Sequence, residues 1–369
     1  MTRILYIIPT LDRSGAEKQL ALLATHLPGD RFERKVITLT RSGPYAEELQ
    51  TAGIEVTCLK KHWKLDPFTC WKLRNEIRKY QPQIVHSWMF TANFYARLAT
   101  PRPKKGTGPQ IVVSERCVDL WKGGDRRWID RRLISRTDRL LANSEAVATF
   151  YRDQGYTDEQ VRVIPNGIEL PEPDNGIDRR EFLSELGFSE QTQLACYIGR
   201  LARQKRIEDL VWAFQMLRQI HPDCGMLIVG DGPERYKLEE LSRHFGCDHL
   251  VRFLGHQPDS LRYVKHVDCV WLASGYEGMS NSLMEAMAAG KPVVASDIPA
   301  NRELVEEGVT GYLASLGDST AFAQFTREIF LHPDRAKAFG EAGREKMKSE
   351  HSLSQLIDRH VTLYDELLS

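Results

Sequence analysis

Two carboxylates, Glu277 and Glu285, flank a short polar segment with seven residues between them. Asn281 or Ser282 can cap a helix that starts here, so the nearby backbone N–H groups would face a bound anion. The carboxylates could then accept hydrogen bonds from hydroxyls on either side of a diphosphate. The pattern predicts a nucleotide-sugar site, whose donor-binding candidates are Gly278, Met279, Ser280, Asn281, Ser282, Leu283 and Glu285.

The same segment also fits a capping box, in which Glu285 folds back to the backbone N–H of Ser282. The residues that follow favour a ligand site. Gly290 ends the predicted helix, and a strand begins at Pro292. This order of loop, helix and strand is typical of an open α/β sheet, which binds ligands at the carboxyl ends of its strands.

A second cluster, Gly199-Arg200 with Lys205, lies between a predicted strand and a predicted helix. The fixed fork of an arginine and the mobile charge of a lysine can together clamp a pyrophosphate. They would also stabilise the charge that grows on a departing nucleoside diphosphate. Taken alone, these cations are explained better by ordinary surface charge, so the interpretation depends on the Glu277 segment.

The Glu277 segment resembles the retaining glycosyltransferases of family 4, whose pattern is Glu, seven residues, then Glu-Ala-Met-Ala-x-Gly-x-Pro-Val-Val. The resemblance implies an α/β GT-B fold, with two Rossmann-like domains facing each other across a deep cleft. It also implies that Glu277 contacts the donor hexose and that Glu285 binds the ribose hydroxyls. Arg200 and Lys205 correspond to the family's phosphate-binding pair, although Arg206 stands where the family often has glycine.

Three positions in the N-terminal half lie at or just after the ends of predicted strands. Gly15 lies in a strand-to-helix turn where the family commonly has two glycines, and we retain it as a donor-loop residue although Ser14 replaces the first. The resemblance places His86 near the reacting carbon of the donor sugar. Arg116 could meet an anionic acceptor, although a structural role explains it more simply. The candidate catalytic residues are therefore His86, Arg200, Lys205 and Glu277.

Short Val- and Ile-rich runs alternate with helical stretches along both halves, as in two doubly wound sheets. The predicted domains are residues 1–168 on the acceptor side, a linker at 169–180, a nucleotide-sugar-binding domain at 181–350, and a C-terminal helix at 351–369 that crosses back to the first domain. The predicted strands are 4–8, 35–39, 54–59, 84–86, 111–114, 140–143, 161–164, 194–198, 226–229, 251–254, 269–272, 292–295 and 311–313.

The composition fits a two-domain globular enzyme, with 369 residues, 42% hydrophobic and 27% charged. Seven scattered cysteines show neither disulfide nor zinc-ligand spacing. We expect a cytoplasmic protein, because the first strand does not read as a signal peptide and no apolar run reaches the roughly 20 residues that span a bilayer. The net charge is zero, but residues 1–165 hold 28 Lys and Arg against 18 Asp and Glu.

Residues 121–139 combine two tryptophans, Trp121 and Trp128, with seven cations in a predicted amphipathic helix. Such a helix suits an anionic membrane surface, which would place the protein peripherally on the inner face of the cell membrane. Alternatively, its apolar stripe packs on the sheet and its arginines are solvated. Nucleic-acid binding is not expected, because no recognition motif accompanies the charge.

The predicted reaction transfers a hexosyl group from a nucleoside diphosphate sugar, with a UDP-sugar favoured, to an acceptor hydroxyl. The resemblance implies retention of anomeric configuration. It also implies a role in cell-surface polysaccharide or glycolipid assembly, with a glycan or lipid-linked acceptor. Neither a cofactor nor a metal is expected, since no Asp-x-Asp occurs. A sugar-nucleotide epimerase and a non-catalytic sugar-nucleotide-binding subunit remain alternatives. A Rossmann oxidoreductase is excluded because no Gly-x-Gly-x-x-Gly follows the first strand.

Overall fold

The structure is a computed structural model that describes residues 1–102, 108–118, 123–171 and 178–369. It divides into two compact units. The first consists of Met1–Gly167 together with Leu353–Ser369, and the second of Ile168–Ser352. The predicted linker at 169–180 falls in the second unit, and its residues 172–177 lie outside the described part of the chain.

Strands and helices alternate through the first unit. Its elements are β1 (Thr2–Ile8), α1 (Gly15–His26), β2 (Phe32–Thr38), α2 (Pro44–Thr51), β3 (Glu55–Cys58), α3 (Pro67–Tyr80), β4 (Ile84–Trp88), α4 (Met89–Ala99), β5 (Gln110–Glu115), α5 (Gly124–Leu133), β6 (Arg139–Ala142), α6 (Glu145–Asp153) and β7 (Val161–Val163). Among the described residues these strands form one seven-stranded parallel sheet, in the order β3-β2-β1-β4-β5-β6-β7.

Helices cover both faces of this sheet, as its apolar strands require. Along β1, Leu5 and Ile7 pack on one side with the buried residues of α3 and α4. Ile4 and Tyr6 pack on the other side with those of α1 and α2. The alternation follows from the two-residue period of a strand, and it gives the unit a core above and below the sheet.

The last helix, α15 (Leu353–Leu368), belongs to the first unit although it follows the second in sequence. Leu356 and Tyr364 are buried in the same core as Tyr6 and Trp88. The hydroxyl of Tyr364 lies 3.1 Å from that of Tyr6. The first unit therefore contains residues from both ends of the described chain.

The second unit repeats the strand and helix alternation. Its elements are α7 (Arg179–Glu185), β8 (Gln193–Ile198), α8 (Ile207–Ile220), β9 (Cys224–Val229), α9 (Arg235–His244), β10 (Val251–Gly255), α10 (Leu261–Val264), β11 (Cys269–Leu272), α11 (Asn281–Ala288), β12 (Val293–Ser296), α12 (Pro299–Arg302), β13 (Gly311–Ala314), α13 (Ser319–Leu331) and α14 (Pro333–Glu350). In the part of the chain that is described, six parallel strands run in the order β10-β9-β8-β11-β12-β13.

Each sheet reverses its strand order next to its first strand. β1 lies between β2 and β4, and β8 lies between β9 and β11. In open α/β sheets, such a reversal opens a crevice at the carboxyl ends of the strands, where ligands bind. The α/β prediction is confirmed, and every strand predicted from the sequence overlaps an observed one. In the described ranges, every helix is too short or too polar to cross a bilayer.

Candidate functional site

A buried ion pair joins the two loops at the strand-order reversal of the second unit. Lys205 lies in the loop after β8, and Glu277 lies in the loop after β11. The Nζ atom of Lys205 is 2.5 Å from Oε1 of Glu277. Only 9% of the Glu277 side chain and 20% of the Lys205 side chain are exposed. The predicted phosphate-binding lysine and sugar-binding carboxylate thus meet at the edge of the sheet where ligands are expected.

Two hydrogen bonds, one from a side chain and one from the backbone, join these two loops. Gln204 Nε2 donates a hydrogen bond of 2.6 Å to the carbonyl oxygen of Tyr276. The N–H of Gly275 donates to the carbonyl of Gln204 at 2.9 Å. The position of Lys205 relative to Glu277 is therefore fixed by their neighbours as well as by their charges. Sequence analysis did not identify Gln204, because a single glutamine beside two cations carries no distinctive pattern.

Glycines shape the turn after β8. Gly199 has a φ of +149° and Gly230 a φ of +135°, which favour glycine. A Cβ atom on Gly230 would lie 1.9 Å from the carbonyl oxygen of Gly199. Tyr197 donates its hydroxyl hydrogen to the carbonyl of Arg200 at 2.9 Å. These contacts set the path of the backbone that presents Arg200, whose side chain is exposed.

Tyr197 is a further site residue that sequence reasoning missed. Burial raises its pKa well above the ordinary value, and the negative charge of Glu277 adds to the shift. The phenol therefore stays protonated and keeps donating to the Arg200 carbonyl. Its position inside the apolar β8 run concealed it, since a tyrosine there reads as a core residue.

The helix after Glu277 starts one residue earlier than predicted. Ser280 is the N-cap of α11, and its Oγ accepts a hydrogen bond from the N–H of Leu283 at 3.4 Å. The expectation of Asn281 or Ser282 as the cap was wrong. The capping-box alternative is wrong as well, because its carboxylate must stand three residues after the cap, whereas Glu285 stands five after Ser280.

Glu285 instead faces a neighbouring segment. Ser260 Oγ donates to Glu285 Oε2 at 3.4 Å, and Glu285 is 8% exposed. Ser260 precedes α10 and was not predicted as a site residue. Gly278 and Met279 are buried between Glu277 and the start of α11. The structure thus gathers Gly199, Arg200, Lys205, Glu277, Gly278, Met279, Ser280, Asn281, Ser282, Leu283 and Glu285 within the second unit, on the loops after β8 and β11 and on α11.

His86 and Gly15 belong to the first unit. The predicted strand ended at His86, but β4 continues to Trp88, and His86 is fully buried. Its Nδ1 lies 2.8 Å from the Tyr364 hydroxyl and its Nε2 lies 2.7 Å from Ser114 Oγ. Burial lowers the pKa of His86 well below its usual value, and the charges of His360 and Arg116 lower it further. A contact with a sugar would have to replace one of these hydrogen bonds.

Gly15 is the first residue of α1, and a buried carboxylate lies beside it. Glu17 accepts hydrogen bonds from the hydroxyls of Ser14 and Thr10. Burial raises the pKa of Glu17. The predicted donor loop therefore carries an acidic group, which suits contacts with hydroxyls better than contacts with phosphate.

Arg116 follows β5 and stacks on Trp88, with its guanidinium carbon 4.7 Å from the ring centroid. One of its Nη atoms donates to Asn166 Oδ1. Arg116 Nη1 and Trp88 Nε1 are buried and have no hydrogen-bond partner among the described residues. Burial lowers the pKa of Arg116 to about 9, so the guanidinium is still charged at neutral pH.

The predicted amphipathic segment 121–139 is only partly helical. Trp121 lies outside the described residues, α5 covers Gly124–Leu133, and Arg139 already belongs to β6 because it pairs with Val112. Trp128 is 59% exposed, and the Arg132 guanidinium lies 4.9 Å from its ring centroid. Leu133 is buried, which gives the helix one packed face and one solvated, cationic face.

Potential metal ligands do not cluster in the described ranges, where no group of three or more His, Cys, Asp or Glu side chains could hold an ion. The polar groups after β8 and β11 are instead cations, carboxylates and helix amides. Such groups can bind a ligand that carries both phosphates and hydroxyls.

Solved structures that share this fold include a glycosyltransferase from Rickettsia africae, which is 19% identical to this chain and superposes with a TM-score of 0.84. A cyanobacterial protein from Anabaena, Alr3699/HepE, was solved in complex with UDP-glucose. It is 20% identical to this chain, superposes with a TM-score of 0.85, and the match covers 99% of this chain and 100% of the other. The fold is thus GT-B.

Family profiles match both units. "Glycosyltransferase Family 4" matches residues 13–172, and "Glycosyl transferases group 1" matches residues 178–346. The chain belongs to glycosyltransferase family 4.

Two curated relatives show how far the sequence similarity extends. N-acetyl-alpha-D-glucosaminyl L-malate synthase of Bacillus anthracis is 26% identical over 240 residues, which cover 65% of this chain and 59% of that protein. The putative glycosyltransferase EpsD of Bacillus subtilis is 25% identical over 284 residues, or 74% of each chain. The chain therefore spans about three fifths of the first relative's length.

Proposed function

We propose that this protein transfers a hexosyl group from a UDP-sugar to an acceptor hydroxyl with retention of anomeric configuration. The observation that carries the proposal is the Lys205–Glu277 ion pair, which lies at the strand-order reversal of the second unit. The family membership supports glycosyl transfer, and the neighbour solved with UDP-glucose supports a UDP-sugar donor.

The donor diphosphate would lie between the cations and the start of α11. Arg200 is exposed and Lys205 is partly exposed, so both can reach a ligand. The N-terminus of α11 adds the positive end of a helix dipole. Positive groups that are already in place stabilise the charge of a leaving diphosphate without further reorganisation. We propose that these groups act without a metal ion or another cofactor.

The two carboxylates would bind the sugar hydroxyls of the donor. Glu277 uses Oε1 for Lys205, and Glu285 uses Oε2 for Ser260. The second oxygen of each carboxylate can accept further hydrogen bonds. In this proposal Glu277 binds the hexose and Glu285 the ribose.

Retention is proposed to follow because the acceptor oxygen attacks the anomeric carbon on the same face from which the leaving group departs. The bond between the anomeric carbon and the phosphate oxygen breaks as the acceptor oxygen bonds to that carbon. The acceptor proton passes to the departing phosphate oxygen. Arg200 and Lys205 would hold the diphosphate throughout. A double displacement would instead need a carboxylate at the anomeric carbon, whereas the proposal places Glu277 on the hexose hydroxyls.

Acceptor binding is proposed for the first unit. Arg116 Nη1 and Trp88 Nε1 are donors with no partner among the residues described. Buried donors of this kind usually have a hydrogen-bond partner, and an acceptor carboxylate, phosphate or hydroxyl would supply one. His86 would orient this region through Ser114 rather than carry out chemistry. We propose a glycan or lipid-linked acceptor, in cell-surface polysaccharide or glycolipid assembly.

A peripheral position on the inner face of the cell membrane would suit a lipid-linked acceptor. The exposed face of α5 supports such a position, since Trp128 lies there beside Arg127, Arg131 and Arg132.

The test is to incubate the purified chain with a panel of nucleoside diphosphate sugars and acceptors and to identify products by mass spectrometry. Transfer from a UDP-sugar, with the product anomer assigned by NMR, is the expected result. A free epimerised sugar without transfer would indicate an epimerase. Tight UDP binding without turnover on any acceptor would indicate a non-catalytic subunit. Either result would overturn the proposal.

A further inference from the structure

Four large apolar side chains are exposed within nine residues at the start of α3. Trp63 is 64% exposed, Leu65 68%, Phe68 67% and Trp71 62%. We call residues 60–79 that carry these side chains the α3 surface. A cluster of this kind is unusual on a soluble protein, because single exposed apolar residues are common but contiguous groups mark interaction sites.

A firmly held base positions these side chains. The N–H of Asp66 donates to the Tyr95 hydroxyl at 2.7 Å. The Asp66 carboxylate caps α3 by accepting from the N–H groups of Phe68 at 3.0 Å and Thr69 at 3.3 Å. Asp66 and Thr69 are buried, whereas the apolar residues on either side point to solvent. The exposure of the cluster is therefore set by the fold.

The helix itself has two distinct faces. Leu73 and Ile77 are buried against the sheet. Phe68, Trp71 and Lys72 stand at positions i, i+3 and i+4, so they share the opposite face. This face carries apolar groups near its N-terminal end and cations along its length.

Positive charge surrounds the apolar cluster. The exposed cations of the α3 surface are Lys60, Lys64, Lys72, Arg74, Arg78 and Lys79. Its two acids are already engaged, since Asp66 caps the helix and Glu76 lies 2.8 Å from Lys35. Lys60, Lys72 and Glu76 also line a cavity of about 320 Å³ beside Trp71.

We propose that the α3 surface binds an anionic lipid bilayer, with its tryptophans at the boundary between headgroups and acyl chains. Tryptophan suits that boundary because it has an apolar body and a polar N–H. Lysines and arginines beside it are attracted to acidic headgroups. A protein partner fits less well, because lysine is depleted at protein interfaces. A second copy of this chain would bring the same cations together.

This inference goes beyond the proposed sugar transfer and does not depend on it. The α3 surface belongs to the first unit, whereas the donor groups belong to the second. It is also separate from the exposed face of α5, although α4 contacts both α3 and α5. Each can therefore be tested separately.

The experiment is co-sedimentation of the full chain with vesicles of phosphatidylcholine alone and of equal parts phosphatidylcholine and phosphatidylglycerol. The wild-type chain binds the anionic vesicles, and the double variant Trp63→Ser/Phe68→Ser binds them at least about tenfold more weakly. Tyr236→Ser on α9 in the second unit is the matched control, since it removes an aromatic side chain that is 69% exposed, and it binds like the wild type.

A charge variant guards against loss of folding. Lys60→Gln with Lys64→Gln changes only exposed side chains and weakens binding to the anionic vesicles, while the circular dichroism spectrum and the melting temperature are unchanged. Three results would overturn the inference. The first is that the wild-type chain does not bind the anionic vesicles. The second is that both α3 variants bind them as strongly as the wild type does. The third is a wild-type dimer in light scattering that the Trp63→Ser/Phe68→Ser change converts to a monomer.

Discussion

The Nζ atom of Lys205 lies 2.5 Å from Oε1 of Glu277 across 72 residues of sequence. The pair joins the loops after β8 and β11, so the cation proposed for phosphate and the carboxylate proposed for a sugar hydroxyl are held at a fixed spacing. The two opposite charges compensate each other in a partly buried setting.

Loss of either partner should lower turnover strongly. We expect Glu277→Ala and Lys205→Ala each to reduce kcat by about 10²-fold or more, because each removes a group that stabilises the transition state. Steady-state transfer assays measure this effect. Lys337→Ala on α14 removes an exposed lysine that pairs with Glu341 at 3.8 Å, and it serves as the control. Near-native turnover of either site variant would contradict the assignment.

Arg200 should contribute to donor affinity. Replacing it with alanine removes a charged donor to the diphosphate, so we expect UDP to bind roughly 10- to 100-fold more weakly. Isothermal titration calorimetry measures the change. Arg203→Ala removes an exposed cation from the same loop and should have a smaller effect. Equal losses in both variants would mean that general positive charge, and not a specific contact, binds the ligand.

Gly230, which lies against the turn after β8, should not tolerate a methyl group. In Gly230→Ala the Cβ would clash with the Gly199 carbonyl at 1.9 Å, whereas the space around Gly308 is open. Gly308 also has a positive φ, of +72°, so it controls for backbone strain. We expect Gly308→Ala to cost about 1 kcal/mol of unfolding free energy and Gly230→Ala to cost clearly more. Urea unfolding compares the two, and similar costs would contradict the close approach.

Acid should destabilise the first unit through its buried histidines. Burial lowers the pKa of His360 from 6.5 to about 4 and lowers that of His86 as well. Below pH 6.5 the unfolded chain takes up these protons and the folded chain resists them, so stability falls as the pH drops towards 4. Each histidine contributes at most about 1.4 kcal/mol per pH unit.

Urea unfolding at several pH values measures this dependence. His360→Leu removes one titrating group, so its stability should depend less steeply on pH between 6.5 and 4 than that of the wild type. An identical slope in the two proteins would mean that His360 is already protonated in the folded chain.

The regular elements were predictable because their signals are redundant. The apolar residues of β1 and β9 are buried on both faces of their sheets, so a continuous run of apolar residues predicts each strand. The start of α11 was not predictable from the sequence, because Ser280, Asn281 and Ser282 are all good N-caps and only the backbone conformation decides between them. The end of β4 was missed for a similar reason, since Trp88 fits a strand and a helix start equally well.

Side-chain partners were harder to predict than site positions. The positions of Arg200, Lys205 and Glu277 follow from strand ends, but nothing near Ser260 in the sequence indicates that it donates to Glu285. At the α3 surface, residue type alone does not predict exposure. Trp63 and Phe68 look like core residues, yet the Asp66 cap leaves them in solvent. The available signal was the run Lys60-Lys61-His62-Trp63-Lys64, which is too basic for a core segment.

The membership of α15 in the first unit has a consequence for synthesis. Leu356 and Tyr364 complete a core that otherwise comes from residues before Gly167, and the Tyr364 hydroxyl bonds to His86. On the ribosome, the first unit emerges early but must wait for the intervening 185 residues of Ile168–Ser352 before its closing helix exists. Until α15 has been synthesised, the first unit therefore keeps the apolar face that α15 covers open, while the second unit can finish folding before the first.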